Sequence, residues 1–217
     1  MKGSVGSILL VFGISITISA NAQDNQPWRK YTISKKISDS SLNTKKLLHS
    51  KTKKALENNI AIFYLYKNGA LVKPPKDSAS DFFAAGCLCF KFNDTLLLNS
   101  GLGKYAGVGV GIKIYQDKFT STLHANPGTM LTYKDKKSDS SYKRDITVLP
   151  EMQSLKLSKE PSFSSDEVII GDLTATYKRF YQTVHHKDQS RVYSVRLIFK
   201  CKVTAMDSMK DATGMRQ

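Results

Sequence analysis

GLGKYAGVGVGIKIY, residues 101–115, holds five glycines at positions 101, 103, 107, 109 and 111. Glycines at this density suit either a phosphate-cradling loop or a strand with one bare face. A dinucleotide loop needs a strand, a glycine turn and then a helix whose N-terminus meets the phosphate. Here Val108, Val110, Ile112 and Ile114 alternate with Gly107, Gly109, Gly111 and Lys113. That period of two belongs to a strand, and no helical period follows. The stretch is therefore predicted as a strand with an apolar face and a glycine stripe, Gly101 and Gly103 serving the turn before it. A bare stripe lets another element come close. The expected occupant is a helix near 41–58 or a crossing strand.

The same period extends on both sides. IAIFYLY (60–66) precedes Asn68-Gly69, a pair suited to the positive φ angles of a tight hairpin. AGCLCFKF, a turn at Asn93-Asp94 and TLLLN lead into the glycine stretch. Gln116-Asp117 and Asn126-Pro127-Gly128 turn the chain again, on either side of KFTSTLHA. In RVYSVRLIFKCKV (191–203), Tyr193, Val195, Leu197, Phe199, Cys201 and Val203 share one face. Ser194, Arg196, Lys200 and Lys202 share the other, with Ile198 the exception. In EVIIGDLTATYKRFYQ (167–182) the apolar parity changes around Gly171, which predicts a bulge there. About 9–11 short strands with turn signals between them predict an all-β fold, an antiparallel β-sandwich or barrel-like domain. The β domain is expected over residues 59–205, followed by a polar C-terminal tail at 206–217.

One helix is expected, in a basic N-terminal segment spanning 23–58. Within 41–58, Leu47, Leu48, Ala55 and Leu56 recur at helical spacing among five lysines. The stripe is narrow and lacks an aromatic anchor, so it suits packing on the domain better than lying on a membrane. Ahead of it, MKGSVGSILLVFGISITISANAQ has the form of a signal peptide. Lys2, the apolar run 8–18 and the Ala20-Asn21-Ala22 pattern predict cleavage after Ala22. The expected location is periplasmic or secreted. After signal removal no stretch is long enough for a transmembrane helix.

The chain carries 33 Lys and Arg against 18 Asp and Glu, for a net charge of +15. Such a balance favours anionic partners, here an envelope polymer or lipid headgroups. Nucleic acid is the less favoured polyanion, since no RNA-recognition or cold-shock motif accompanies the aromatic–basic texture. That texture is densest at 177–181. Alternation there predicts a surface-binding patch of Tyr177, Arg179 and Tyr181 on one face.

Three cysteines, Cys87, Cys89 and Cys201, are too few for a zinc ribbon. Cys87 and Cys89 sit two apart on a predicted strand, about 6.5–7 Å between Cα atoms. That separation is at the limit of disulfide geometry. Cys201 is therefore expected to pair with Cys87 or with Cys89.

Catalytic constellations are thin. The four histidines are His49, His124, His185 and His186. His185 and His186 fall in a hairpin loop with Asp188, where neighbours on a strand would face apart. His124 could serve Ser121 or a distant cysteine, yet no nucleophile-elbow or cysteine-protease motif is present. The aspartates fall in turns, which turn chemistry explains. No motif calls for a metal or cofactor. The sequence thus points to a non-catalytic binding or structural component of the envelope. An envelope-polymer hydrolase and a barrel holding a lipid-like ligand are the alternatives.

Overall fold

A computed structural model describes residues 27–37, 42, 57–74, 83–102, 107–126 and 132–205. The signal-like segment, the tail and nearly all of the expected 41–58 helix lie outside these residues. Among the described residues the fold is all-β, with fifteen strands, ten of them five residues or longer. No helix among them is long and apolar enough to cross a membrane.

The strands follow the expected turns. β1 (Arg29–Lys30) and β2 (Thr32–Ile33) come first. β3 (Asn59–Lys67) and β4 (Ala70–Leu71) form a hairpin around Asn68 and Gly69, at φ 50° and 82°. β5 (Phe83–Phe92), β6 (Thr95–Leu102), β7 (Gly107–Tyr115) and β8 (Lys118–Asn126) make an antiparallel meander. Asn93 and Gln116, both at φ 51°, turn two of its corners. β9 (Tyr133–Lys134), β10 (Ile146–Val148) and β11 (Pro150–Leu157) follow. The chain ends with β12 (Val168–Tyr177), β13 (Phe180–Val184), β14 (Lys187–Arg191) and β15 (Tyr193–Ala205).

Twelve strands form one sheet in the order β1-β8-β7-β6-β5-β3-β15-β12-β11-β2. β4 attaches to β3 and β10 to β8. The two ends of this path, β1 and β2, are separated in sequence only by Tyr31. The sheet must therefore roll until its edges meet, giving a barrel-like body. The seam between β8 and β11 is stitched a second time, because β10 pairs with β8 and runs through Leu149 directly into β11. Closing a sheet in this way removes exposed edges. β9, β13 and β14 form a separate small sheet.

β5 and β15 each serve two neighbours. The first half of β5 pairs with β3, from Ile60↔Gly86 to Phe63↔Phe83. Its second half pairs with β6 on one side and, in parallel, with β15 on the other, at Val203↔Cys89. β3 thus lies between β5 and β15 and ends at Asn59, where those two strands come together.

Inward positions hold one apolar core. Phe63, Phe119, Tyr177, Phe180 and Phe199 are its largest fully buried side chains. A body of about eight principal strands has an interior just wide enough for side chains to fill. Outside the barrel, Leu42 packs with Ile60, Ile62 and Ile198 in a second cluster, which explains the apolar Ile198 on an otherwise polar face.

Two local expectations are corrected. β12 has no bulge at Gly171: the residue pairs in register with Phe199 and with Leu157. Ile169, Gly171, Leu173, Ala175 and Tyr177 all point inward, and the half-buried Val168 and Ile170 point out. Gly171 is bare because the Phe199 ring fills its place; a Cβ there would lie 2.5 Å from Phe199 Cζ. Gly101, expected in a turn, belongs to β6 and pairs with Gly109.

Candidate functional site

The glycine stripe faces outward from the meander. Register places Asn99, Gly111 and Thr122 in one row across β6, β7 and β8. Gly101, Gly109, His124 and Thr147 form the next row, ending on β10. The space above Gly111 is taken by its own neighbours: a Cβ there would meet Thr122 Oγ1 at 2.9 Å, Asn99 Oδ1 at 3.1 Å and His124 Nε2 at 3.6 Å. Among the described residues, these side chains cover the Gly111 end of the stripe, and no side chain lies within 4 Å of a Cβ built at Gly109. Leu42, the described residue within 41–58 that is buried, packs on β3 and β15 instead.

His124 is held on both sides. Thr122 Oγ1 lies 3.0 Å from Nε2 and Thr147 Oγ1 lies 2.9 Å from Nδ1. Partial burial of the ring, and then the positive charge of Lys113, hold its pKa below the ordinary histidine value. A neutral imidazole between two hydroxyls orients polar groups along a ledge. The polar outward positions of β6 and β8 carried this signal in the sequence; only the register could show that they converge.

Ser121 is on the opposite face. It is fully buried, its backbone N–H and Oγ both donate to Gln153 Oε1 at 2.9 Å, and Tyr177 donates to its Oγ at 3.3 Å. Three steps along a strand reverse the face, so Ser121 and His124 do not meet.

The predicted patch of Tyr177, Arg179 and Tyr181 does not form. Tyr177 is 0% exposed, in the main core, and burial pushes its phenol far above the ordinary tyrosine value. β12 ends there, Lys178 and Arg179 cross over, and β13 starts a different sheet. The alternation breaks at the crossing, so Tyr177 and Phe180 are both buried despite opposite parity. Phe180 sits between Tyr133 and Tyr193, each with ring centroids 5.7 Å away, and docks the small sheet on the main body. Arg179 is exposed and Tyr181 half-buried.

The small sheet gathers a charged cluster. Asp188 accepts from Thr183 Oγ1 at 2.6 Å, Lys134 Nζ at 2.9 Å and Tyr142 Oη at 3.2 Å. These donors hold its carboxyl below the ordinary aspartate value. Lys134 also lies 4.2 Å from the Tyr142 ring centroid. His185 and His186, at φ 50° and 63°, form the turn between β13 and β14 and are exposed. Among the described residues, no group of three or more His, Cys, Asp or Glu could hold a metal ion.

Several other carboxylates each pair with one base. Asp117 pairs with Lys30 at 2.7 Å, and Glu167 with Lys159 at 3.0 Å. Arg196 makes a two-pronged bond to Asp172, at 3.2 Å from Nε and 2.8 Å from Nη2. This pair floors a shallow recess of about 230 Å³, with Lys36 and Lys156 in its walls.

The three cysteines do come together. Cys87, Cys89 and Cys201 are 0–2% exposed, all facing the core as free thiols. Burial, and then the neighbouring thiols of Cys87 and Cys89, push the Cys201 thiol above its ordinary value.

No family model, curated protein or solved structure matches this chain.

Proposed function

We propose that this chain is a non-catalytic binding or structural component of the cell envelope, exported by its N-terminal signal and drawn to anionic polymer or lipid headgroups by its positive charge. The observation that carries the reading is the placement of Ser121 and His124 on opposite faces of β8. The serine–histidine pair that a hydrolase would use is split between the core and a polar ledge. Fold alone does not imply function; the placement of these side chains is what separates binding from hydrolysis. The recess beside Arg196 and Asp172, with Lys36 and Lys156, supplies cationic contacts of the kind an anionic surface engages.

Co-sedimentation of the purified full chain with anionic and zwitterionic vesicles, and with isolated cell-wall polymer, tests the reading. Association with an anionic partner is expected, weakening steeply with salt. Replacing Lys36 and Lys156 together by Glu is expected to weaken it further. Equal, salt-insensitive behaviour toward charged and neutral surfaces would sink the proposal. Cell fractionation tests export separately.

A further inference from the structure

The three thiols meet where β15 changes partner from β3 to β5. β3 ends at Asn59, which pairs with Cys201 of β15. Beyond that end β15 turns to β5, in parallel, with Val203 opposite Cys89. Carried back two residues, this register sets Cys87 level with Cys201. The Cys87 side chain leans toward β15: its thiol donates to the Lys200 carbonyl oxygen at 3.0 Å, and lies 3.7 Å from the Ile60 carbonyl oxygen. Cys89 is level with Val203 instead. All three side chains point into the core, and inward vectors on a rolled sheet converge.

We infer that Cys87 and Cys201 form a disulfide that locks β5 to β15 where β3 runs out, leaving Cys89 as a buried free thiol. The two thiols release two protons and two electrons and gain one S–S bond. The oxidant is a small or protein-borne disulfide, which is reduced to two thiols by exchange. Both sulfurs are sealed in the native core, so exchange occurs on the folding chain, before β15 docks. Native reduction is correspondingly slow, because a thiolate must reach a buried sulfur. In the cell the bond rests on the export reading, since an oxidising compartment is needed. Refolding in the test tube separates the two questions.

The test is refolding of the full chain in a mixture of oxidised and reduced glutathione, acid quench, and then labelling of the remaining thiols in denaturant with a maleimide, which still reacts under mildly acidic conditions. Digestion with chymotrypsin, which cuts after Leu88, separates Cys87 from Cys89. A linked Cys87–Cys201 fragment and one alkylated thiol, on Cys89, are expected. C89S should keep the link, and C87S should lose it while remaining folded by circular dichroism. Three alkylated thiols in the refolded wild type, or a link of Cys89 to either partner, overturns the inference. Protein taken from cells adds a separate readout: a link formed on refolding but absent from cells counts against export, not against the geometry.

Discussion

The Tyr177 hydroxyl donates to Ser121 Oγ across the interior, joining β12 to β8 at 3.3 Å. Ser121 passes the chain on to Gln153 of β11, whose side-chain amide donates to the Pro27 carbonyl oxygen. One polar thread thus runs from the core through the seam to the first described residue. Removing the acceptor strands a buried donor, whereas removing the donor leaves Ser121 bonded to Gln153. Ser121→Ala is therefore expected to cost about 1–3 kcal/mol and Tyr177→Phe about 1 kcal/mol. Urea denaturation of both variants measures the order, and a larger loss for Tyr177→Phe would contradict it.

Burial also sets the alkaline limit. Tyr177 is held far above its ordinary pKa, and Tyr133 is pushed up to about 12. With folded values raised, the unfolded chain releases protons first. The stability these phenols contribute is complete below about pH 10 and is lost as pH rises beyond it. Absorbance at 295 nm should show these two ionising only together with loss of near-ultraviolet circular dichroism.

Glycines that look alike in sequence differ in tolerance. Gly171→Ala drives a methyl into Phe199 and Leu157, at 2.5 and 2.9 Å, and is expected to destabilise by about 1–3 kcal/mol. A Cβ at Gly109 would meet nothing nearer than the Ser100 carbonyl oxygen at 3.4 Å. Gly109→Ala should stay within about 0.5 kcal/mol of wild type. Thermal melts of the two variants separate these outcomes.

His124 is expected to titrate below its ordinary value, because burial and Lys113 disfavour the imidazolium. Its folded pKa is depressed, so its contribution is full above about pH 6.5 and falls away as pH drops toward the folded pKa. Lys113→Gln should move the titration back up. NMR of the ring protons reads this directly; an unmoved midpoint would show that Lys113 is not felt.

Asp188 gives the small sheet an acid sensitivity. Its carboxyl is held low chiefly by Thr183 and Lys134, so that stability is present above about pH 4 and is lost as pH falls through the folded value. Asp188→Asn should remove this acid step from amide exchange in β13 and β14 while leaving exchange in β12 unchanged.

Much of the fold was legible in local pattern. The alternation in 107–115 and 191–203 marks strands because successive side chains face apart. Asn68-Gly69 and Asn93-Asp94 mark turns because they reach positive φ at small cost. The apparent parity change at Gly171 misled because an outward Ile170, partly covered, looks like a core residue in sequence. The patch of Tyr177, Arg179 and Tyr181 misled because alternation was carried through a crossing between two sheets. The ledge around His124 was half legible: the polar residues were visible, their convergence was not.

By itself, the sequence determined that the chain alternates, where it turns, and that the glycine stretch is a strand and not a phosphate loop. Those properties follow from each residue's backbone preference and immediate neighbours. Tertiary structure alone decided what the glycines lie beneath, which face Ser121 and His124 occupy, and that Cys87, Cys89 and Cys201 share one site. Each of these depends on strand register and on the end of β3 at Asn59, and register is set by packing between segments far apart in the chain.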